Sequence, residues 1–382
     1  MSTFDVIIVG AGPAGSTCAA RLKHSGLTVK LLDKKDFPRV KPCAGWITPQ
    51  VVDTLQIDID DYCRNNTFQP ITGFRTGIIG GRVVETDYDH PVSYGIRRLE
   101  FDDYLLKRSG VLCEHQNVKQ LRRHADQWSV NEAYRAPLLI GAGGHFCPVA
   151  RMARGESSHR SEKSDQTVFA QEIEFELADS EASSMCVDPE KPELYFCPDL
   201  RGYGWCLRKD NYLNVGLGRT EKRGLSAHVE EFCEFLRSRG KLAGQFPTHF
   251  LGHAYRLYAK PEPKLFGEGL VLIGDSAGLA YPQSGEGIRP AIESAMIAAD
   301  VIASVNGRYE SSSLAIYQQR LVNRLGPAKP IQTAGWMPAA LLQAIAAKLM
   351  ATSWFSRHTV IENWFLHQRQ TALKINEPLV QN

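Results

Sequence analysis

The sequence predicts an α/β fold: a parallel sheet wound by helices, an antiparallel sheet inserted into it, and a helical C-terminus. Three observations carry this prediction. The first is a short β-branched run, Val6–Val9, that leads straight into Gly10, Gly12 and Gly15 at G-x-G-x-x-G spacing. Such a run has the length and composition of a buried parallel strand. The second is that two later apolar runs, residues 137–140 and 269–273, also end in glycine turns, Gly141-Ala142-Gly143-Gly144 and Gly274-Asp275. The third is the alternation of residues 167–177. Phe169, Gln171, Ile173, Phe175 and Leu177 share one face and Glu172, Glu174 and Glu176 the other, which predicts a half-exposed antiparallel strand.

The first strand and its glycines read as strand, tight turn and helix start. Gly10 permits the turn, Gly12 lets the backbone approach a pyrophosphate, and Gly15 lets the helix pack close to the strand. Free N–H groups and the positive end of the helix dipole then face the anion. Pro13 is tolerated in a first helical turn. A helix is expected over residues 17–25, closed by Gly26, and a second strand over 28–32. Asp33 ends that strand about 20 residues beyond the glycines, where an acid holds a ribose hydroxyl. Together these features predict dinucleotide binding.

Composition narrows the class. The chain has 382 residues, which favours two domains, and a formal charge of +2, which gives no basic field for nucleic acid. Its nine cysteines are scattered singly with no C-x-x-C pair. A zinc site, any other metal centre and a secreted disulfide framework are therefore not expected, and a reducing cytoplasm is. The first strand begins too near Met1 to leave room for a signal peptide. No apolar run reaches the roughly 18 residues of a spanning helix.

Further along, residues 34–49 form a polar, proline-punctuated loop. Residues 73–79 and 82–87 flank Gly80-Gly81 as a β-hairpin. Arg97 and Arg98 open a helix to about Ser109, and short strands follow over 111–115, 118–122 and 127–130. Beyond residue 167, strands are expected over 194–196, 203–208 and 212–217. Ser226 is placed to cap a helix that buries Val229, Phe232, Cys233 and Leu236. Helices follow over 289–304 and 311–325, and again from Pro338. The expected division is a discontinuous nucleotide-binding domain (1–70, 95–166, 261–325), an inserted substrate domain (71–94, 167–260) and a helical C-terminal region (326–382).

The three glycine turns in this order resemble the flavoprotein fold of the para-hydroxybenzoate hydroxylase type. Within that group the chain is most similar, over roughly residues 1–325, to the geranylgeranyl reductase family, a neighbour of the flavin-dependent halogenases. The resemblance implies a discontinuous Rossmann-like FAD-binding domain with an inserted antiparallel β-sheet. It also implies FAD as cofactor, and NAD(P)H or a reduced redox protein as electron donor. Residue by residue, it places Gly10, Gly12, Pro13, Ala14 and Gly15 at the pyrophosphate, and Asp33 at the ribose with Lys34 beside it. It puts Arg98 along the FAD, where a guanidinium suits phosphate, and Asp275 on the ribitol chain. Gly285, Gly287 and Ile288 fall beside the flavin pyrimidine, where a helix N-terminus would stabilise negative charge on the reduced ring.

Lys41-Pro42-Cys43-Ala44-Gly45 matches the lysine, cysteine and glycine of the family's catalytic loop, which implies that Cys43 faces the flavin. Saturating an alkene needs a hydride and a proton, and a thiol that is mostly protonated at neutral pH can give the proton. Arg39 and Lys41 nearby would favour the thiolate that remains. Tyr203-Gly204-Trp205 keeps the first two aromatics of the reductases' Tyr-x-Trp-x-Phe-Pro and loses the proline; both rings are candidates to line a substrate cavity. Gly143-Gly144 stands where family members carry Asp-Gly, which departs from the pattern for docking a nicotinamide donor.

Three functions follow from this reading. The first is FAD-dependent reduction of a double bond in a lipophilic, isoprenoid-like substrate. The second is a flavin monooxygenase that hydroxylates an aromatic or protein-borne ring. The third is a flavin-binding maturation partner without turnover. No nucleic acid is expected as partner. Residues 337–350 are apolar apart from Gln343 and Lys348, and Trp354, Phe355, Trp364 and Phe365 follow. With Lys348, Arg357, Arg369 and Lys374 as a basic face, they suit peripheral membrane contact by a cytoplasmic protein. The alternative is a helical cap over the FAD domain.

Overall fold

The computed structural model describes residues 1–155, 166–178, 185–242, 246–331 and 338–375. At its centre, four short strands run parallel in the order Leu270–Leu272, Leu138–Gly141, Val6–Val9 and Val29–Asp33. Cys113–His115 extends the sheet in parallel at one edge, and Phe266–Gly267 pairs antiparallel at the other. The inner strands are continuous apolar runs because helices cover both faces. Every residue of Val6–Val9 and of Leu138–Gly141 is buried.

Register decides where the glycine turns meet. Val9 lies beside Gly141, and Gly141 beside Leu272, so all three turns leave the sheet at one level. Chain segments more than a hundred residues apart thus converge on the carboxyl edge of the sheet, where open α/β sheets place their ligands. The approach is close. A Cβ on Gly10 would lie 2.4 Å from the Ala142 carbonyl oxygen, and one on Gly274 only 3.1 Å from Ala14 Cβ. Helix Pro13–His24 starts earlier than the sequence predicts, with proline at its first position; Ser25 is its C-cap, and Gly26, at φ +83°, closes it as predicted. It packs against helix Ile288–Ser304, which is almost wholly buried.

The inserted sheet has seven strands in the order Leu251–Arg256, Thr167–Glu176, Tyr212–Arg219, Gly202–Lys209, Glu193–Phe196, Gly73–Ile78 and Val83–Asp87. All neighbours are antiparallel except Glu193–Phe196 with Gly73–Ile78. One face, with Phe169 and Ile173, packs under helix Leu225–Ser238 through Val229, Phe232, Cys233 and Leu236. Gly224 is the N-cap of that helix. Ser226 lies inside it and accepts a hydrogen bond from Gln171 Nε2 at 3.2 Å, so it is not the cap.

The opposite face corrects the sequence reading. Glu176 is exposed, but Glu172 is buried and the Glu174 side chain is only 19% exposed. Alternation fixes which residues share a face, not what covers it. Here the covering layer is the loop of residues 39–45 and the C-terminal segment, whose Val360, Ile361 and Phe365 pack with Trp46, Leu194, Phe196 and Trp205. That segment ends in a wide, π-type helix, Ser356–Phe365. Before it, helix Ala339–Met350 buries Met350 alone. Met337, counted with this apolar stretch in the sequence, lies outside the described residues. Among the described residues, no helix is long and apolar enough to cross a membrane.

Candidate active site

Between the carboxyl edge of the parallel sheet and the glutamate face of the inserted sheet lies a cavity of about 580 Å³. Gly10, Gly12, Pro13, Ala14, Asp33, Lys34, Cys43, Arg98, Tyr203, Trp205, Asp275, Gly285, Gly287 and Ile288 all line it. Gly15 does not. A Cβ there would fall 1.8 Å from the Gly10 carbonyl oxygen, so Gly15 serves the crossing of helix and strand.

The first-strand end of the cavity fits the pyrophosphate and ribose of a dinucleotide. Helix Pro13–His24 has no side-chain cap and no acid in its first turn, which leaves its N–H groups for an anion. Arg39 Nη2 lies 3.1 Å from the position of a Cβ on Gly12, so a cation overhangs the turn. Asp33 Oδ2 accepts the Ala11 N–H at 2.8 Å and Oδ1 accepts the Lys35 N–H at 3.0 Å. The carboxylate thereby braces the turn and keeps lone pairs for a hydroxyl.

Asp275 lies at the far end, in the short turn Gly274–Ser276. Burial alone would raise its carboxyl, but the neighbouring His253 and the charge of Lys41 outweigh that and hold it at about 2. His253 Nε2 is 3.8 Å from Asp275 Oδ2, and Lys41 Nζ lies 2.9 and 3.1 Å from the two ring nitrogens of His253. Burial, then Lys41, pushes the imidazole down to about 4, so it is neutral at physiological pH. Burial, with Arg98 and Arg39, lowers Lys41 to about 8 against the pull of Asp275. Gly287 begins helix Ile288–Ser304, but Glu286 already accepts the Arg289 N–H at 2.7 Å. That helix start therefore has less free donor capacity than the sequence suggests.

Cys43 is half-buried and its loop is pinned to the inserted sheet. Asn214 Nδ2 donates to the Cys43 carbonyl at 3.2 Å, Lys209 Nζ donates to the Ala44 carbonyl at 3.0 Å, and the Cys43 N–H faces Glu172. Arg98 lies beside the thiol and acts on it. Lys41 also acts on the thiol, as the sequence predicts, while it contacts His253; Arg39 pairs with Asp102 at 3.3 Å. Tyr203 OH donates to the Ser284 carbonyl, and Trp205 Nε1 donates to Asn214 Oδ1 at 2.7 Å. Their polar atoms are engaged, and their rings form the wall with Phe365, which meets Tyr203 edge-on at 5.3 Å. His253, Glu172, Asn214, Lys209 and Asp102 escaped the sequence reading. Only Asp102 had a readable signal there, its i+4 spacing from Arg98.

Fold and site together define an FAD-dependent oxidoreductase of the Rossmann type. Residues 8–49 match the model of an NAD(P)-binding Rossmann-like domain. The resemblance to geranylgeranyl reductases extends along most of the chain. It is 28% identical over 317 residues to a digeranylgeranylglycerophospholipid reductase of Methanocaldococcus jannaschii, covering 78% of this chain and 76% of that one. It is also 28% identical over 330 residues to a menaquinone reductase of Mycobacterium tuberculosis, covering 78% and 76%. In fold it is similar to a geranylgeranyl bacteriochlorophyll reductase-like protein of Thermoplasma acidophilum, at TM-score 0.72, 20% identity, and 99% and 95% of the two chains.

Proposed function

We propose that this protein reduces a carbon–carbon double bond of a lipophilic, isoprenoid-bearing substrate. The observation that carries the reading is Cys43: a thiol beside Arg98 at a cavity whose other wall is Tyr203, Trp205 and Phe365. Bound FAD supplies the hydride in such a reaction. The chain's own residues do the rest. Phe365, Tyr203 and Trp205 exclude water and orient an apolar chain. Cys43 gives a proton to the second carbon, and the buried guanidinium of Arg98 stabilises the thiolate left behind. Asn214 and Lys209 hold the loop so that the thiol does not drift. The electron donor in this reading is NAD(P)H or a reduced redox protein. Gly143-Gly144 brings no carboxylate to a nicotinamide there, which favours the redox protein.

The test is anaerobic turnover of chemically reduced, FAD-loaded protein with geranylgeranyl diphosphate and with menaquinone, read by mass spectrometry. A gain of two hydrogens per reduced bond supports the proposal. A product that gains oxygen in air, with no hydrogenated product without it, would favour hydroxylation. Flavin binding without any product would favour a maturation partner.

The same reading gives helix Ala339–Met350 a use, which is contact with a lipid surface. Leu341, Ile345 and Leu349 recur every four residues and are 51%, 39% and 43% exposed, so they form one apolar stripe. Trp354 continues it at 67% exposed. The helix contains no acid, and its one charge, Lys348, suits anionic headgroups. The segment that follows supplies Phe365 to the cavity wall, so a lipid-dwelling substrate would have a short apolar path inward.

A further inference from the structure

Glu172 and Glu174 sit two residues apart on one strand, face the same way, and live in opposite electrostatic environments. Burial raises Glu174, but Lys209 and then Arg97 outweigh it and keep it ionised. Lys209 is itself completely buried; its Nζ donates to Glu174 and to the Ile96 carbonyl at 3.0 Å. Arg97 Nε reaches Glu174 Oε1 at 3.1 Å. The strong cations of this floor are thus spent on Glu174. Glu172 faces the Cys43 N–H and accepts a long contact of 3.3 Å from Asn214 Nδ2, and it has no direct ion pair among the described residues. Burial dominates there and pushes its carboxyl up to about 7, against the Cys43 amide and the more distant Lys209, with Glu174 adding to the rise. Two neighbouring carboxyls driven apart in this way mark one as a fixed charge and the other as an acid.

Glu172 also has the right address. It lines the cavity together with Cys43, and Asn214 Nδ2 bridges the two, 3.2 Å from the Cys43 carbonyl and 3.3 Å from Glu172 Oε2. We infer that Glu172 is the proton store that recharges Cys43 between turnovers, an inference that rests on the reductase reading above. In the first half of the cycle the Cys43 S–H bond breaks and a C–H bond forms on the substrate carbon next to the one that has taken the hydride. The thiolate remains beside Arg98. In the second half the Glu172 O–H bond breaks, the Cys43 S–H bond re-forms, and the carboxylate takes a proton from water admitted as product leaves. The proton balance closes with solvent as the source, and the reduced flavin is the only reductant.

A purely structural Glu172 would brace the loop, and Glu172→Gln keeps the shape and an oxygen acceptor for the Cys43 amide. Two measurements separate the roles. In single turnover, pre-reduced Glu172→Gln should form its first product at the wild-type rate and then settle to a steady state slower by about tenfold or more; Glu172→Asp should recover part of the loss. A first turnover slowed as much as the steady state would overturn the inference. The second measurement needs no substrate: the rate of iodoacetamide labelling of Cys43 against pH, read by peptide mass spectrometry. In the wild type, ionisation of Glu172 opposes thiolate formation, so the profile should carry a shoulder near pH 7 that Glu172→Gln lacks. The charged groups around this pair are Lys209, Glu174, Arg98 and Lys41, all retained in the variant, so any step from Lys41, lowered to about 8, is common to both profiles. Identical profiles would show that the two groups are not coupled. Wild-type protein that makes no hydrogenated product would sink the reductase reading instead, and the labelling profile would still stand.

Discussion

Arg98 clasps Asp102 with two parallel hydrogen bonds, Nε to Oδ1 at 2.7 Å and Nη2 to Oδ2 at 2.8 Å, and Asp102 is completely buried. Burial opposes the guanidinium charge, and Asp102 together with the Cys43 thiol more than restores it. The pair sits one turn into helix Arg98–Ser109, so the helix carries the cation and its counter-charge on one face. Asp102→Ala strands a buried guanidinium and should cost about 3–5 kcal/mol of stability. Urea unfolding of the FAD-loaded variant measures it; a change within ~0.5 kcal/mol would mean that water or cofactor already compensates Arg98.

Cys43→Ser should keep its fold and its FAD, and should accept electrons at nearly the wild-type rate. It should nevertheless turn over substrate at least tenfold more slowly, about 1.4 kcal/mol of barrier, because a hydroxyl is a far poorer proton donor than a thiol. Stopped-flow reduction and steady-state turnover separate the two steps. Cys18, pushed up to about 12 by burial against the lesser effect of Arg21, is the inert comparison and should resist alkylation that modifies Cys43. Wild-type turnover in Cys43→Ser would move the proton source elsewhere.

Asp275→Ala removes a carboxylate kept ionised at the cavity wall. If it accepts hydrogen bonds from the cofactor, each is worth about 1.5–3 kcal/mol. The purified variant should then lose most of its bound flavin, read as the ratio of flavin to protein absorbance. Full occupancy would show that Asp275 only orders His253 and Lys41.

His253 gives the site a predictable response to acid. Its folded value is held near 4, below the ordinary 6.5, chiefly by burial. Between those values the unfolded chain binds the proton and the folded one resists it, so stability falls as pH drops from about 6.5 to about 4. Asp275, held at about 2 instead of 3.8, loses its contribution only below that window. His253→Gln should flatten the slope of unfolding midpoint against pH between 7 and 5. An unchanged slope would assign the acid sensitivity to other buried histidines such as His367, also pushed down to about 4, mainly by burial.

What was legible in the sequence is what local chemistry dictates. The Gly10 turn, Asp33 and the Gly274-Asp275 turn announce themselves because strand, glycine and helix start must be contiguous, and all of them line one cavity. The alternation of residues 167–177 gave the right faces and the wrong environment. Nothing in that stretch says that the loop of residues 39–45 would lie on Glu172, or that Lys209 and Arg97 would meet Glu174. His253 was invisible because a single histidine on a strand has no spacing signature. It becomes a site residue only when Leu251–Arg256 joins the sheet edge beside Thr167–Glu176 and brings it to Lys41. Asn214 is of the same kind, since its hydrogen bonds, from Trp205 and to Cys43 among them, span three segments of chain.

The exposed C-terminal helix gives the last prediction. A 12-residue helix that buries only Met350 gains little from its own fold, yet it carries Leu341, Ile345 and Leu349 on one side. Placing that stripe in the headgroup boundary removes it from water at about 25 cal/mol per Å². Lys348 adds attraction to anionic lipid that salt should weaken. The protein should therefore co-sediment with vesicles of anionic phospholipid, less so with neutral ones, and less again at high salt. The double variant Leu341→Glu with Ile345→Glu should stay in the supernatant while its unfolding midpoint and flavin content hold, because both positions are exposed. Its turnover should fall on substrate embedded in vesicles and persist on substrate dispersed in detergent. Wild-type protein that remains soluble with every vesicle composition would leave the helix as a cap whose apolar face meets some other surface.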